Sequence, residues 1–325
     1  MRLALFLTAF MFAVMSLPQQ SHARCSLVDE DLCATENGHY RIRTPKGRGP
    51  FPTVLYLYGS TGNSGTIVSN KRFVDAFVSR GYAVIVPAAL DVRYADGLDS
   101  GWHLRHERGS KQRDEIAFVA EVLRDAATSF VIDRRNVLIA GMSRGGFLAW
   151  EIACHRPDLA RAYAPVASGY LGPMPERCQS PVRLLHTHGR ADTIVPLDPA
   201  APWSSAGARA LPLNTILGRM AGTGGCTARG EAKAFKDYTR TSWAGCQRNA
   251  SVDLLVHNGG HTIPASWYPS VIDWFEEGNK RPSQLPQGGG TAVFRGAGQN
   301  SGGGVFKGVG ERATGGRFKK VPGTQ

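Results

Sequence analysis

Residues 141–146 read Gly141-Met142-Ser143-Arg144-Gly145-Gly146, the Gly-x-Ser-x-Gly spacing that sets a serine hydroxyl on a tight turn between a strand and a helix. An apolar run at 136–140 precedes it and a helical run at 147–155 follows, which is the context such a turn requires. Strand and helix meet there too closely for side chains on either glycine. Ser143 is then held, under strain, at the positive end of a helix dipole. A hydroxyl is a weak nucleophile, so a base and an orienting carboxylate must follow, in the chain order serine, acid, histidine.

Two later segments supply them. Asp192 lies in His188-Gly189-Arg190-Ala191-Asp192, beyond the apolar run 182–186, at the strand end where ligand sites of α/β proteins lie. Asp198 is its rival, and capping a turn is its plainer alternative. His261 follows Gly259-Gly260 just before the last helical stretch, whereas His257 ends the preceding strand and reads as packed. The His261 imidazole would take the Ser143 proton and return it to the leaving group while Asp192 holds the tautomer.

An anionic intermediate needs backbone donors. The N–H of Arg144 is one candidate. The N–H of Ser60, in the loop Gly59-Ser60-Thr61-Gly62-Asn63-Ser64-Gly65, is the other. That loop lacks the lysine and the glycine spacing of a phosphate cradle. Tyr58, Trp102 and Trp203 are candidates for an apolar substrate cleft, with core packing the alternative for the tryptophans. The Arg144 side chain either draws a carboxylate-bearing substrate or pairs with an acid on the helix flank.

The elements that must position these residues alternate along the chain. Apolar strand candidates fall at 53–58, 82–87, 136–140, 160–166, 182–186 and 252–257, with amphipathic stretches at 66–79, 110–127, 145–155, 210–220 and 263–276. Unbroken apolar strands separated by helices predict an α/β fold, a mostly parallel sheet covered on both faces. The stretch 197–250, rich in Pro, Gly and Trp, reads as an insertion near the C-terminal strand edge.

At 325 residues, 42% hydrophobic and 20% charged, the chain is too apolar for disorder and long enough for a large core. After the first 17 residues no apolar run is long enough to span a bilayer. The formal charge of +12 is uneven: residues 279–325 hold +7 of it, and 3–278 only +4. The basic balance therefore does not call for a nucleic acid partner.

Arg2, an apolar run at 3–15 and Ser21-His22-Ala23 have the pattern of a cleaved export signal with a cut after Ala23, giving a secreted or periplasmic protein. In an oxidising compartment Cys25, Cys33, Cys154, Cys178, Cys226 and Cys246 read as disulfides rather than metal ligands. Local pairing, 25 with 33, 154 with 178 and 226 with 246, closes the shortest loops. A mixture of bridges and free buried thiols is the alternative. Residues 279–325 contain 13 of the 39 glycines and predict a disordered tail. Phe294, Phe306 and Phe318 recur there every 12 residues, each followed by Arg or Lys, a pattern suited to an anionic surface, with a solvated tail of chance spacing the plainer alternative.

Taken together, the turn at 141–146, the Asp192 loop and Gly259-Gly260-His261 make residues 24–278 resemble the α/β-hydrolase superfamily. More narrowly they resemble secreted esterases of the polyhydroxybutyrate depolymerase and feruloyl esterase group. Further marks are the early cysteine pair before Tyr40-Arg41-Ile42 and the run Asp114-Glu115-Ile116-Ala117-Phe118-Val119. The resemblance implies Ser143, Asp192 and His261 as a triad, with Ser60 and Arg144 as the oxyanion hole. It also implies a small-molecule or polymeric ester substrate, cleaved through an acyl-enzyme without metal or organic cofactor. This chain departs from the group in carrying Tyr58-Gly59 where His-Gly is usual, and Arg144 where a small residue is usual. A prolyl-oligopeptidase-like peptidase shares the serine turn, and a non-catalytic envelope- or polymer-binding protein is the remaining alternative.

Overall fold

The computed structural model describes residues 24–25, 32–94, 97–107, 112–197, 204–205, 208–247 and 249–280. The expected export signal, the tail beyond residue 280, Asp198 and Trp203 lie outside these residues.

All six apolar runs are strands of one sheet. Its central members are β3 (Phe51–Leu57), β4 (Ala83–Pro87), β5 (Ile132–Met142), β6 (Ala162–Val166), β7 (Arg183–Gly189) and β9 (Ser251–His257). β1 (Leu32–Thr35) and β2 (Gly38–Arg43) extend one side, and β8 (Tyr238–Ala244) extends the other. The order is β1-β2-β4-β3-β5-β6-β7-β9-β8. The pairings from β4 through β9 are parallel, and those at both edges antiparallel. Every residue of β4, β6 and β7 is buried. Successive side chains of a strand point to opposite faces, so helices must cover both.

The helices are α1 (Ser64–Ser69), α2 (Lys71–Val78), α3 (Glu115–Ser129), α4 (Arg144–His155), α5 (Leu213–Thr223) and α6 (Trp267–Lys280). The single helix expected at 66–79 is two. Asn70 sits between them with extended backbone, and its side chain accepts from Phe73 N at 3.2 Å. An Asn that captures a backbone donor in this way ends one helix and starts the next. Asp114 starts α3 similarly, accepting from Ile116 N and Ala117 N. Phe73 and Phe77 of α2 meet Tyr268 of α6 edge to face, tying the first helices to the last.

The stretch expected to be an insertion is more integral than that. It contributes α5 and the strand β8, whose residues pair with β9 from Tyr238↔His257 to Ser242↔Asp253 and, on the other side, with short strands at 228–229 and 233–234. Disulfides join Cys25 to Cys33, Cys154 to Cys178 and Cys226 to Cys246, which is the local pairing. The second anchors the end of α4, and the third closes the connection from α5 to β8.

The C-terminal ends of the parallel strands are level. Met142 pairs with Val166, Val166 with Thr187, and Gly189 with His257. The segments carrying Ser143, Asp192 and His261 leave the sheet at this common rim.

Candidate active site

Ser143 has φ 51 and ψ −122, a positive φ that costs a non-glycine residue free energy. The fold imposes it by close approach. A β-carbon at Gly141 would meet the carbonyl of Gly145, and one at Gly145 would meet the carbonyl of Leu57 in β3. α4 therefore starts hard against the sheet, and Phe147 N donates to Ser143 O at 2.9 Å to close its first turn. Arg144 stands at the first helical position, in the turn whose N–H groups face the N-terminal end of the helix.

The acid and base turns are joined through their backbones. Arg190 N donates to His257 O at 2.7 Å and Ala191 N to Gly259 O at 3.0 Å. Gly189 lacks a side chain where the carbonyls of Gly259 and Gly260 cross it. The 258–261 segment thus folds back from the end of β9 over the end of β7, toward the β5 side. There His261 Nδ1 lies 2.8 Å from Asp192 Oδ2.

Asp192 is the more buried partner, its side chain wholly covered while that of His261 keeps 18% exposure. Oδ1 accepts from Ile194 N and Val195 N, both at 2.9 Å. With Oδ2 held by the imidazole, both carboxylate oxygens have hydrogen-bond partners. An Nδ1–H directed at a carboxylate leaves His261 Nε2 as the unprotonated nitrogen, the tautomer a general base needs.

Behind the acid lies a pair of histidines that the sequence reading did not single out. His188 Nε2 is 2.7 Å from Val195 O, so it donates, and its Nδ1 accepts from His186 Nε2 at 2.9 Å. Burial pushes His188 below its ordinary value and His186 well below, which keeps the pair neutral. Through Val195 it holds the turn that Asp192 caps. His186 and His188 are two apart on β7, and that spacing places them on one face. His257 is a strand-end residue: 4% exposed, with Nδ1 accepting from Gly259 N at 3.1 Å.

The loop after β3 approaches the nucleophile from the other side. A β-carbon at Gly59 would lie 3.3 Å from the Ser143 β-carbon. Gly62 N donates to Gly59 O at 3.0 Å, closing a turn in which the N–H of Ser60 takes no part.

Two expectations for side chains are corrected here. Tyr58 and Trp102 do not line an open cleft, being 2% and 0% exposed. The Tyr58 hydroxyl accepts from Ala89 N at 2.7 Å, and its carbonyl accepts from Trp102 Nε1 at 2.8 Å. Buried aromatics with a polar tip find a partner for it, and these two brace the loop after β3 from below. Of the two roles open to the Arg144 side chain, pairing with an acid is the one adopted. Its Nε donates to Trp102 O at 3.0 Å, and its guanidinium pairs with Glu107. It is 7% exposed. One residue, through its indole N–H and its backbone carbonyl, thus links the segments that carry Ser60 and Arg144, a link that no local pattern in the sequence announces.

Next to this brace, Glu151 of α4 is 2% exposed and accepts from Arg105 N with both oxygens, at 3.1 Å. Burial pushes its carboxyl up to about 8 despite those bonds.

Comparison with known proteins agrees with this fold. The chain is 26% identical over 245 residues to a putative esterase NocK of Nocardia uniformis, covering 69% of this chain and 68% of that protein. It is 26% identical over 231 residues to feruloyl esterase D of Neurospora crassa, with 69% and 68% covered. An acetyl xylan esterase structure from Aspergillus awamori shares the fold, with TM-score 0.51 and 16% identity over 73% of this chain and 93% of that one. The sequence pattern of the dienelactone hydrolase family matches residues 40–204, a span that includes Ser143 and Asp192 and stops short of His261. The narrower group expected from the sequence and the matched family both lie among α/β-hydrolases, and this chain belongs to the dienelactone hydrolase family.

Proposed function

We propose that the protein is an exported serine esterase acting through Ser143, Asp192 and His261. The observation that carries the reading is the 2.8 Å contact between His261 and a buried, fully bonded Asp192, on the same rim as a serine in strained positive-φ conformation. The three disulfides support an oxidising destination.

In this reading the Ser143 hydroxyl adds to the ester carbonyl as His261 Nε2 takes its proton. The N–H groups of Ser60 and Arg144 receive the developing oxyanion. The tetrahedral adduct collapses to an acyl-serine as the alcohol leaves with the His261 proton. Water, deprotonated by the same nitrogen, then releases the acid. Asp192 stabilises the imidazolium that forms in both halves. The relatives named as feruloyl and acetyl xylan esterases favour esters of plant-polymer type as substrates, alongside hydroxy-acid polyesters.

The test is labelling with a fluorophosphonate followed by peptide mapping, together with p-nitrophenyl acetate hydrolysis. Adduct on Ser143, and a loss of roughly a thousandfold or more in kcat for Ser143→Ala with unchanged thermal midpoint, are expected. Full activity in that variant would overturn the reading.

A further inference from the structure

Among the described residues a single Phe, Tyr or Trp is exposed, and it stands at the rim that carries the candidate triad. This is Phe235, with 49% of its surface in solvent. It lies in the hairpin that leads into β8, where Lys233 pairs with Arg240 and Ala234 with Thr239. Phe235 N donates to Tyr238 O at 2.8 Å, so residues 235–238 form a tight turn with the two aromatics opposed across it. Opposed residues share a face, and these rings stack, with centroids 5.0 Å apart and planes 23° from parallel. The Tyr238 hydroxyl is in turn 3.4 Å from Ser270 Oγ of α6. One face of the Phe235 ring is therefore backed by a second ring that is itself anchored.

The register fixes where this turn sits. Tyr238 pairs with His257, and His257 with Gly189, so the turn leaves the sheet at the level from which the Asp192 and His261 turns leave it. β9, β7 and β6 lie between β8 and β5, and four strand spacings amount to about 19 Å. A small ester seated at Ser143 ends short of Phe235. A substrate with repeating units spans the gap.

The surroundings select the repeating unit. Lys233, Lys236 and Asp237 are exposed, so the ring is one apolar face inside a charged border. A flat aliphatic polymer surface laid on it would desolvate those charges without pairing them. A pyranose ring would not. Its C–H face covers the electron-rich face of the phenyl, while its hydroxyls stay among the polar neighbours and water. A ring already stacked in place also loses little freedom on binding.

We propose that Phe235, backed by Tyr238, is a specificity-determining residue that receives a sugar ring of a polysaccharide ester whose acyl group sits at Ser143. The link to ester cleavage rests on the esterase reading above; the sugar contact itself does not.

Two measurements keep these apart. The Ser143→Ala protein, in which turnover plays no part, is titrated calorimetrically with soluble acetylated xylan and with acetylated pectin. Saturable binding of at least one is expected. Phe235→Ala in that background is expected to raise Kd about tenfold, the scale of one aromatic stacking contact, and Phe235→Trp to restore most of the affinity. With Ser143 intact, Phe235→Ala is expected to lower the ratio of kcat/KM on the bound polymer to that on p-nitrophenyl acetate about tenfold, through KM. Binding that depends on Phe235 in a protein without esterase activity would keep the sugar site and remove the esterase reading. No saturation by either polymer, a Kd unchanged by Phe235→Ala, no recovery with Phe235→Trp, or an unchanged ratio in the active enzyme would overturn the proposal.

Discussion

Trp102 Nε1 donates to the carbonyl of Tyr58 while the carbonyl of Trp102 accepts from Arg144 Nε. One residue therefore ties the segment that carries Ser60 to the one that carries Arg144, the two candidate oxyanion donors. Removing the donor and keeping the ring tests this. Trp102→Phe removes the indole donor from the buried Tyr58 carbonyl, at a cost of about 1–3 kcal/mol. Steady-state kinetics with p-nitrophenyl acetate is expected to show kcat falling roughly tenfold with KM little changed, because misplaced donors act on the transition state. A proportional rise in KM alone would assign Trp102 to ground-state binding instead.

Asp192→Asn keeps the shape of the acid and removes its charge. Its amide can no longer stabilise an imidazolium or fix the His261 tautomer. kcat is expected to drop by roughly a thousandfold or more, while phosphonate labelling slows and circular dichroism stays unchanged. An activity loss below about tenfold would move the acid role elsewhere.

Gly145→Ala is expected to prevent folding, since the added carbon meets the β3 backbone and no flexible side chain can yield. Soluble yield and thermal midpoint report it. Gly218→Ala is the control: nothing lies within 4 Å of its added carbon. In the interior of α5 this exchange is expected to stabilise by up to about 1 kcal/mol.

Glu151 predicts a pH dependence of stability with a definite sign. Its folded carboxyl sits near 8, above the ordinary glutamate value. The native state holds a proton that the unfolded chain has released, so this residue makes stability fall as pH rises from about 4.5 to 8. Glu151→Gln is expected to flatten thermal midpoints across that window, by about 2–4 °C for each kcal/mol of slope removed. An unchanged slope would mean that Glu151 is ionised in the folded protein.

His188→Phe is expected to remove the donor of the Val195 carbonyl and the acceptor of His186 Nε2 and to loosen the turn that Asp192 caps. kcat should fall as the imidazole loses its fixed carboxylate. His188→Gln, which retains a donor, should recover part of that loss. A change in thermal midpoint alone, with unaltered kcat, would make the pair purely structural.

Much of the architecture was legible in the chain because its strands are buried on both faces and read as continuous apolar runs. β8 was not: its exposure is mixed along its length, so it lacks a continuous apolar run, and it hides in a stretch rich in Gly and Trp. The glycines of the serine turn were readable because close approach admits no other residue. Tyr58 and Trp102 were misassigned for an equally physical reason. An aromatic beside a glycine loop is suited both to a cleft wall and to a buried strut, and only the tertiary positions of Ala89 and Arg144 decide between them. The His186-x-His188 spacing was available as a same-face pair. What it lacked in one dimension was Val195, the acceptor that gives it a purpose.

The backbone stitching of residues 190–191 to residues 257 and 259 also bears on how such enzymes can be recombined. A chimaera with its crossover anywhere between these turns would combine an acid segment from one parent with a base segment from another. Their mutual fit rests on main-chain positions and on a missing side chain at 189, so matching side chains would not restore it. For shuffling, the two turns are a single heritable block, although some 65 residues of sequence separate them.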